Sequence, residues 1–511
     1  MGGVLLVNQV LLKDLYIGSI DGETEASRDD FEQLFYTKNS KFDEIMRPEK
    51  FIISGRKGTG KTILAKYVHK KVNGNPDSYC EIFTKNDYVL RRLIDTQFRE
   101  MKSEELSIFW KWTLLYQISD TLNKKVGLRK KIPFTAEYKL AQFLKNIYPE
   151  DIFKVKDVNK SYGRKSSLKG DAKSKGLREL AVTAAHENTA QVSTNYLTKE
   201  YFELISQLEE LLYNCLKKEK EIVLIYDDLD ELDEKFGDDS KHYQTLISML
   251  ETIKDLNIAF KGLSKKSTKI VVLLRSDIID EIHKHSSNSN KLVTESEVNL
   301  YWIEKRSKKR EEHPLMEMIL NKVQKSAEQY SSMNKAQLYR MLFPRKISHK
   351  DAIVYLLDYS LGRPRDIIRH LNLVIEDSPE GTNFDPAAFR NCAQRYSKWF
   401  YDELQNEISI HKNREMLRDG LRLINDMKKI TFTYDLIEAQ FTQKKEHYAN
   451  IENLKDTISH LYKLGVIGNS WQHKNSDNYH FSWGYRDDAS NDPNFSQSFV
   501  VHSGLRNYFS I

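Results

Sequence analysis

One short segment combines glycines, a lysine and a threonine at a spacing that suits the binding of phosphate groups. It reads Gly55-Arg56-Lys57-Gly58-Thr59-Gly60-Lys61-Thr62, is followed by Ile63, and carries the pattern GxxxxGK[ST]. Its glycines allow backbone N–H groups to turn inward around a phosphate without a clash from a Cβ atom. Lys61 is suited to contact the β- and γ-phosphates, and the Thr62 hydroxyl is suited to bind Mg²⁺. The segment therefore predicts a site for a nucleoside triphosphate and Mg²⁺.

A pair of acidic residues follows an apolar run later in the chain. The run Ile222-Val223-Leu224-Ile225-Tyr226 is typical of a strand covered on both faces, and Asp227-Asp228 comes directly after it. Asp227 is placed to hold Mg²⁺, and Asp228 is placed to orient or deprotonate an attacking water. The alternative interpretation is an acidic loop after a core strand, without a chemical role.

An arginine ends a third apolar run, Ile270–Leu274. Because ligands gather at the carboxyl ends of strands in a parallel sheet, we expect Arg275 to face the γ-phosphate. There it would sense the nucleotide state and stabilise charge in the transition state. The alternative is that Arg275 only pairs with Asp277 or with the aspartates after the second run.

A further arginine lies in the first turn of a predicted helix. Gly362 ends one helix and Pro364 begins the next. Arg365 in that first turn opposes the helix dipole, at a cost of a few tenths of a kcal/mol, which favours an anionic partner such as a nucleotide phosphate. Arg363 is the alternative candidate, and Asp366 could instead neutralise the arginine locally.

These residues need elements that bring them to one edge of a sheet. The apolar run Phe51-Ile52-Ile53 predicts a strand before the glycine-rich segment, and the apolar spacing after Lys61 predicts a helix. This context distinguishes the segment from a glycine-rich turn with a chance lysine. Further helices are predicted over Asp351–Leu361 and Arg365–Glu376. The runs together predict an α/β fold with a parallel sheet.

The C-terminal part has the element order of a winged helix. An amphipathic helix over Asn453–Leu464 is followed by strand-like segments at Tyr479–Trp483 and Ser498–His502. Such modules bind DNA when the helix face and the wing carry basic residues. Here the exposed positions carry charges of both signs, and the predicted wing contains several aspartates. DNA binding and protein contact are both compatible with this pattern.

Composition indicates a chain of several globular domains. The 511 residues are 40% hydrophobic and carry a net charge of +6, which argues only weakly for nucleic acid as a partner. The three cysteines lie far apart, which excludes a disulfide framework and a cysteine-based zinc site. No apolar run reaches membrane-spanning length, so we expect a cytoplasmic protein with no membrane partner.

Two basic stretches have no part in the phosphate chemistry. Lys154–Lys175 holds eight lysines or arginines and two acids, and it is typical of a mobile loop inserted in the core. It would bind nucleic acid in a salt-dependent way, or it is a solvated linker. Residues 305–310 are basic but flanked by acids, which favours a solvated helix face over an arginine finger that reaches a second subunit.

The motifs occur in a characteristic order: GRKGTGKT, LIYDDLDELD, VVLLRSD, NLYWIEK and LGRPRDI. In this order they resemble the AAA+/STAND superclass of P-loop ATPases. More narrowly, the chain is similar to a bacterial group of KAP-like and ORC-like ATPases often associated with anti-phage loci. A stretch like Ile17–Glu25 recurs in that group. The resemblance covers residues 15–75, 220–310 and 350–511, and it departs at Asp228, where glutamate is commoner.

The resemblance implies the fold, the domains and ATP as the nucleotide. It implies a P-loop NTPase core with a parallel sheet and a helical insertion, then a helical lid and a C-terminal winged-helix domain. We expect an N-terminal segment over residues 1–45 that packs on the core, and the core over 46–300, with a helical and basic insertion at about 87–220. The lid is expected over 301–376 and the helical connector and winged helix over 377–511.

The function implied is a Mg-ATP-dependent switch, a sensor or regulator of bacterial anti-phage defence. It would form a homo-oligomer and act with a partner effector protein. Because Asp228 is one methylene shorter than glutamate, hydrolysis would be slow or would depend on a partner. The alternatives are an ORC-like ATPase that binds or loads DNA, and a scaffold that binds ATP but hardly hydrolyses it.

Overall fold

The computed structural model describes most of the chain. The described residues are 9–39, 41–84, 103–145, 204–217, 220–227, 229, 239–263, 266, 268–285, 287–303, 309–409, 411–472, 479–486 and 492–511. Asp228, the basic stretch 154–175 and residues 305–308 lie outside them, so the roles suggested for these residues stay predictions. None of the described helices is long and apolar enough to cross a membrane.

The described part contains nine strands and nineteen α-helices. The strands are β1 (Ile52–Gly55), β2 (Ser78–Phe83), β3 (Glu221–Tyr226), β4 (Lys269–Arg275), β5 (Glu297–Asn299), β6 (Thr431–Phe432), β7 (Ile467–Gln472), β8 (Tyr479–Ser482) and β9 (Ser498–Val501). The helices up to β5 are α1 (Gly22–Ala26), α2 (Phe31–Leu34), α3 (Phe42–Ile45), α4 (Lys61–Asn73), α5 (Ser103–Lys125), α6 (Ala136–Lys145), α7 (204–216), α8 (Asp239–Lys261), α9 (Ser276–His285) and α10 (Ser287–Ser296). The remaining helices are α11 (Pro314–Ser326), α12 (Lys335–Leu342), α13 (Ala352–Asp358), α14 (Pro364–Asp377), α15 (Pro386–Ile408), α16 (Arg414–Met427), α17 (Tyr434–Gln443), α18 (Leu454–Leu464) and α19 (Ser503–Phe509).

The chain forms two compact units. The sheet unit comprises residues 41–56 and 64–299, and the helical unit comprises 1–40, 57–63 and 300–511. The sheet unit is built on five parallel strands in the order β2-β3-β4-β1-β5. Its central strands have apolar residues on both faces. On β3, for example, Ile222, Leu224 and Tyr226 share an apolar core with α5, α7, α8 and α9, and the alternate residues Val223 and Ile225 are also buried.

The order of the strands creates a switch point between β1 and β4. The chain leaves β1 through α4 and passes to the far side of β3, whereas it leaves β4 through α9 and α10 and crosses β1 to reach β5. Right-handed crossovers therefore place α4 and α9 on opposite faces of the sheet. Ligands of open α/β sheets bind at such a point, outside the carboxyl ends of the strands.

The helical unit has one continuous apolar core. It includes Leu12, Leu15 and Ile17 of the N-terminal segment together with residues of α11–α16, α18 and α19. The N-terminal segment is fixed to α11 by a buried ion pair between Glu25 and Lys322.

The C-terminal part of the helical unit is a winged helix. Helices α16, α17 and α18 pack beside an antiparallel sheet in the order β6-β9-β7-β8, in which β7 and β8 form the wing hairpin. Helix α19 returns to the long helix α15. There the Ser397 hydroxyl donates to the Gly504 carbonyl over 2.6 Å, and the Phe400 ring stacks on His502.

The predicted fold class is confirmed. The protein is an α/β protein with a parallel five-stranded core sheet, a helical insertion between β2 and β3, helices after the core and a C-terminal winged helix. Most predicted elements differ from the observed ones by a residue at either end. The helix predicted over Asp351–Leu361 is shorter, because the chain turns after Asp358 to reach Gly362 at φ +69°. A Cβ atom at Gly362 would lie 2.3 Å from the Ile303 side chain, so only glycine fits that turn.

Candidate functional site

The register of the sheet unit brings three predicted site residues to one edge. In the parallel pairing of β1 and β4, Gly55 lies opposite Arg275. Next to β4, strand β3 ends at Tyr226 opposite Val272, and Asp227 follows, its N–H donating to the Phe83 carbonyl over 2.8 Å. The start of the glycine-rich segment, an arginine and an acid therefore lie at the carboxyl edge of adjacent strands.

Arg275 is held by a neighbouring carboxylate. Its guanidinium is buried and makes two parallel hydrogen bonds to Asp277, at 3.0 and 2.5 Å. A bidentate pair of this kind fixes the plane of the guanidinium as well as its position. The contact is the one foreseen in the alternative interpretation of Arg275, and it is compatible with a second, anionic partner for the same guanidinium.

The glycine-rich segment has the backbone that its composition predicts. Gly58 and Gly60 have φ values of +85° and +99°, in the left-handed region that side-chain-bearing residues rarely adopt. At Gly58 a Cβ atom would lie 3.3 Å from the Arg365 Cβ atom and 3.6 Å from the Arg363 Cδ atom. The side chains of Arg363 and Arg365, at the N-terminal turn of α14 (the α14 turn), therefore lie close to this segment.

The residues present fit a Mg-nucleotide. Helix α4 begins at Lys61, is 13 residues long and has no acidic residue in its first turn, so its N-terminal end favours an anion. The two glycines with positive φ precede this end, and the hydroxyl-bearing Thr62 follows Lys61 in the first turn of the helix. No candidate metal cluster of three or more His, Cys, Asp or Glu side chains is found in the described parts of the chain.

Arg363 supports the part of the glycine-rich segment that belongs, like Arg363 itself, to the helical unit. Its guanidinium is 2% exposed, bonds Asp366 at 3.0–3.1 Å and Glu407 at 3.2 Å, and donates to the Lys57 carbonyl over 3.0 Å. Burial alone would lower the pKa of Arg363, but the charges of Asp366 and Glu407 outweigh it and raise that pKa above its ordinary value. Arg363 is thus a permanently charged support of the backbone at Lys57.

Arg365 is less buried and has fewer partners. Its Nε donates to the Ile20 carbonyl over 3.1 Å, and one NH group lies 3.1 Å from a Glu403 carboxylate oxygen. Asp366, which sequence reasoning offered as a local partner for Arg365, instead binds Arg363 and caps the turn by accepting from the Leu361 N–H at 2.8 Å.

Four further residues lie around the segment, and the sequence analysis assigned none of them a role at the site. Trp302 donates its indole N–H to the Thr59 carbonyl over 2.8 Å, and Gly22 lies against Thr62 and Ile63. Glu403 and Glu407 of α15 bind the two arginines. The Trp302 contact could have been anticipated from the strand order, because Trp302 follows the end of β5, which neighbours β1.

Comparison with known proteins gives a family match and structural neighbours. A family model described as the FunZ-associated C-terminal helical domain matches residues 313–405, which hold α11–α14 and most of α15. The chain is also similar to the solved structure of the Aeropyrum pernix Orc1 protein in complex with DNA. The identity is 10%, the match covers 95% of each chain, and the TM-score is 0.35. No curated protein matches the chain.

Proposed function

We propose that this chain is a molecular switch that binds Mg-ATP at Gly55–Ile63 and hydrolyses it. The observation that best supports the proposal is the register of the sheet. It sets Gly55, where the glycine-rich segment begins, opposite Arg275, with Asp227 at the end of the next strand. Phosphate, metal ion and water can meet at such an edge.

Each proposed site residue has a defined task. Lys61 would contact the β- and γ-phosphates, and Thr62 and Asp227 would hold Mg²⁺, which neutralises charge on the phosphate oxygens when bound. Arg275 and Arg365 would contact the γ-phosphate. Each of these arginines already pairs with a carboxylate. The γ-phosphate would therefore share the arginine with that carboxylate or replace it.

Asp228 is the residue expected to position the attacking water, and this role stays a prediction. Asp228 would orient the water or take its proton as the bond to the γ-phosphate breaks. Aspartate in place of the commoner glutamate leads us to expect slow or partner-activated turnover.

We further propose that the switch is a regulator of bacterial anti-phage defence that forms a homo-oligomer and acts on a partner effector protein in the cytoplasm. This part rests on the resemblance of the motif order alone. The family match to a FunZ-associated C-terminal helical domain agrees with a helical lid after the core. The alternatives remain an ORC-like ATPase that acts on DNA and an ATP-clamped scaffold.

Steady-state phosphate release by the full chain tests the proposal. We expect wild-type turnover with Mg-ATP to fall by about a hundredfold or more in Lys61→Ala and in Asp228→Asn. Lys66→Ala is the matched control, because it removes a lysine from the same helix that is not part of the segment Gly55–Ile63. Thermal unfolding should show ATP at about 100 times its dissociation constant stabilising the wild type by about 2.7 kcal/mol.

Three results would separate the alternatives. Wild-type turnover equal to that of Asp228→Asn, with no ATP binding that depends on Lys61, would refute the ATPase proposal. ATP binding that depends on Lys61 without turnover would leave the scaffold. A large stimulation by duplex DNA would favour the DNA-acting enzyme.

A further inference from the structure

Two acids of α15 face the two arginines of the α14 turn. Glu403 and Glu407 are four residues apart, so they lie on the same side of the helix. Glu407 pairs with Arg363 and Glu403 pairs with Arg365, with N–O distances of 3.2 and 3.1 Å. Each pair joins an arginine near the start of α14 to a glutamate of α15, but the two pairs differ in their surroundings.

The Arg363 pair is built to stay in place. Both its side chain and that of Asp366 are almost completely buried, and the guanidinium has partners on α14, on α15 and on the glycine-rich segment. Removing Arg363 would leave the buried carboxylates of Asp366 and Glu407 without the cation that they share, which is strongly unfavourable. Arg363 is therefore a fixed support.

The Arg365 pair is more exposed and held by fewer contacts than the Arg363 pair. About a quarter of the Arg365 side chain is exposed, and Glu403 contributes a single N–O contact to it. The stem of Arg365 lies against Gly58, since a Cβ atom there would be 3.4 Å from its Cδ atom. A phosphate on this segment would therefore lie near the side chain of Arg365, whose guanidinium is held by Glu403 and by the Ile20 carbonyl.

A second carboxylate near Arg365 is already committed. Asp21 accepts hydrogen bonds from the Thr24 N–H at 2.8 Å and the Thr24 hydroxyl at 2.7 Å, as the cap of α1. These bonds, and more weakly the charge of Arg365, lower the pKa of Asp21. Glu403 is thus the carboxylate that contacts the Arg365 guanidinium directly.

We propose that Glu403 is a positioning residue that competes with the γ-phosphate of ATP for Arg365. The inference rests on the proposed function and deepens it. Glu403 contacts the guanidinium in this structure, and a γ-phosphate would take it over because it offers more charge and more acceptor oxygens than one carboxylate contact. The pair therefore lowers ATP affinity and makes release of Glu403 depend on the γ-phosphate, so that ADP leaves the pair intact.

Binding of nucleotides to the full chain by calorimetry tests this competition. The probes are adenylyl imidodiphosphate with Mg²⁺, which carries a γ-phosphate but resists hydrolysis, and ADP with Mg²⁺. We expect Glu403→Gln to bind the triphosphate analogue about two- to fivefold more tightly than the wild type, with ADP affinity unchanged. Arg365→Gln should bind the analogue about tenfold more weakly. In the double variant Glu403→Gln should lose its effect.

Glu376→Gln is the matched control. It breaks ion pairs of Glu376 with Arg369 and Arg395, on the same two helices, and should leave both affinities unchanged. The inference is overturned if Glu403→Gln binds the analogue with wild-type or weaker affinity, if ADP shows the same gain, or if the gain persists without Arg365. Should Glu403→Gln fail to fold, Glu403→Asp takes its place with the same expected direction. A wild type that binds neither nucleotide would instead refute the proposed function and the inference with it.

Discussion

Three buried histidines of the helical unit carry no charge at neutral pH. Burial lowers the pKa of His370 and His502 to about 3 and that of His313 to about 4, from an ordinary 6.5. His370 stacks on Tyr396 with ring centroids 4.0 Å apart, and neither of its ring nitrogens has a hydrogen-bond partner within the described chain. Its imidazole is used as a flat apolar group.

These histidines make folding sensitive to mild acid. Between pH 6.5 and their folded pKa values the unfolded chain binds more protons than the folded chain, so stability falls as pH drops. Each histidine should cost about 2 kcal/mol at pH 5 relative to pH 8. Burial would raise the pKa of Glu317, but hydrogen bonds from Lys335, Tyr36 and Lys38 outweigh it and lower that pKa to about 2. The stability that Glu317 contributes is therefore lost only below about pH 4.5.

Replacing His370 by phenylalanine tests this at one residue. We expect His370→Phe to change stability little at pH 8 and to raise it by about 2 kcal/mol relative to wild type at pH 5, because the ring no longer has a proton to gain. Urea unfolding at both pH values gives the comparison. An unchanged pH dependence would mean that His370 is not kept neutral by burial.

At this scale the sequence predicted the residues that lie close together along the chain. The spacing from Gly55 to Thr62 and the acid after β3 could be read directly, because their chemistry depends on local order. Glu403 and Glu407 could not, since they lie 38 and 44 residues from the arginines they bind. Only the packing of α15 against α14 brings them there.

The turn before α6 is held in an unusual conformation. Phe134 has φ +64°, and its side chain is 90% exposed. Thr135 fixes the turn, because its hydroxyl donates to the Ile132 carbonyl over 2.8 Å and accepts from the Tyr138 N–H at 3.1 Å. A bulky residue in the left-handed region is a strained choice.

A glycine at this position should stabilise the sheet unit. The left-handed backbone costs a residue with a Cβ atom about 1–2 kcal/mol, and the greater entropy of unfolded glycine offsets about 0.5–1 kcal/mol of the relief. We expect Phe134→Gly to raise the free energy of unfolding by about 0.5–1 kcal/mol. Phe134→Ala is the control and should bring no such gain, since alanine keeps the Cβ atom. Chemical denaturation distinguishes the two variants, and equal stabilities would refute the strain.

Elements with a strong apolar run were predictable, and short or mixed ones were not. Strands β1, β3 and β4 lie in the middle of the sheet and are apolar on both faces, so their sequences indicate them. The edge strands β2 and β5 have partly exposed residues and no such run, and β5 has three residues. Helix α18 starts one residue after its prediction and ends at Leu464, where Gly465 adopts φ +81°.

For the molecule as a whole, the charges of the winged helix bear on the choice of partner. Residues 414–511 contain equal numbers of basic and acidic residues. The two lysines of α18 are engaged within the domain: Lys463 pairs with Asp492 at 3.2 Å, and Lys455 lies over the Tyr434 ring. With Asp456 on the helix and Asp492 beside Lys463 counted, the two lysines leave no surplus of positive charge for a DNA backbone.

We therefore expect weak binding to duplex DNA. Fluorescence anisotropy with a 30-base-pair duplex at 150 mM salt should give a dissociation constant weaker than about 10 μM, with little salt dependence. The variant Asp456→Asn with Asp492→Asn removes acids beside the lysines and should bind more tightly and with a steeper dependence on salt. Tight, salt-sensitive binding by the wild type would contradict the expectation.

The buried pair of Glu25 and Lys322 has a consequence for synthesis. The two residues are 297 positions apart in the chain and close in the helical unit. At about 5–20 residues per second, a ribosome needs about 15–60 s to reach the lysine after the glutamate has been made. During that interval the N-terminal segment cannot adopt its final place, and the nascent chain carries it exposed while the residues of the parallel sheet emerge. The N-terminal segment is made first, but it is among the last segments to reach its place in the helical unit.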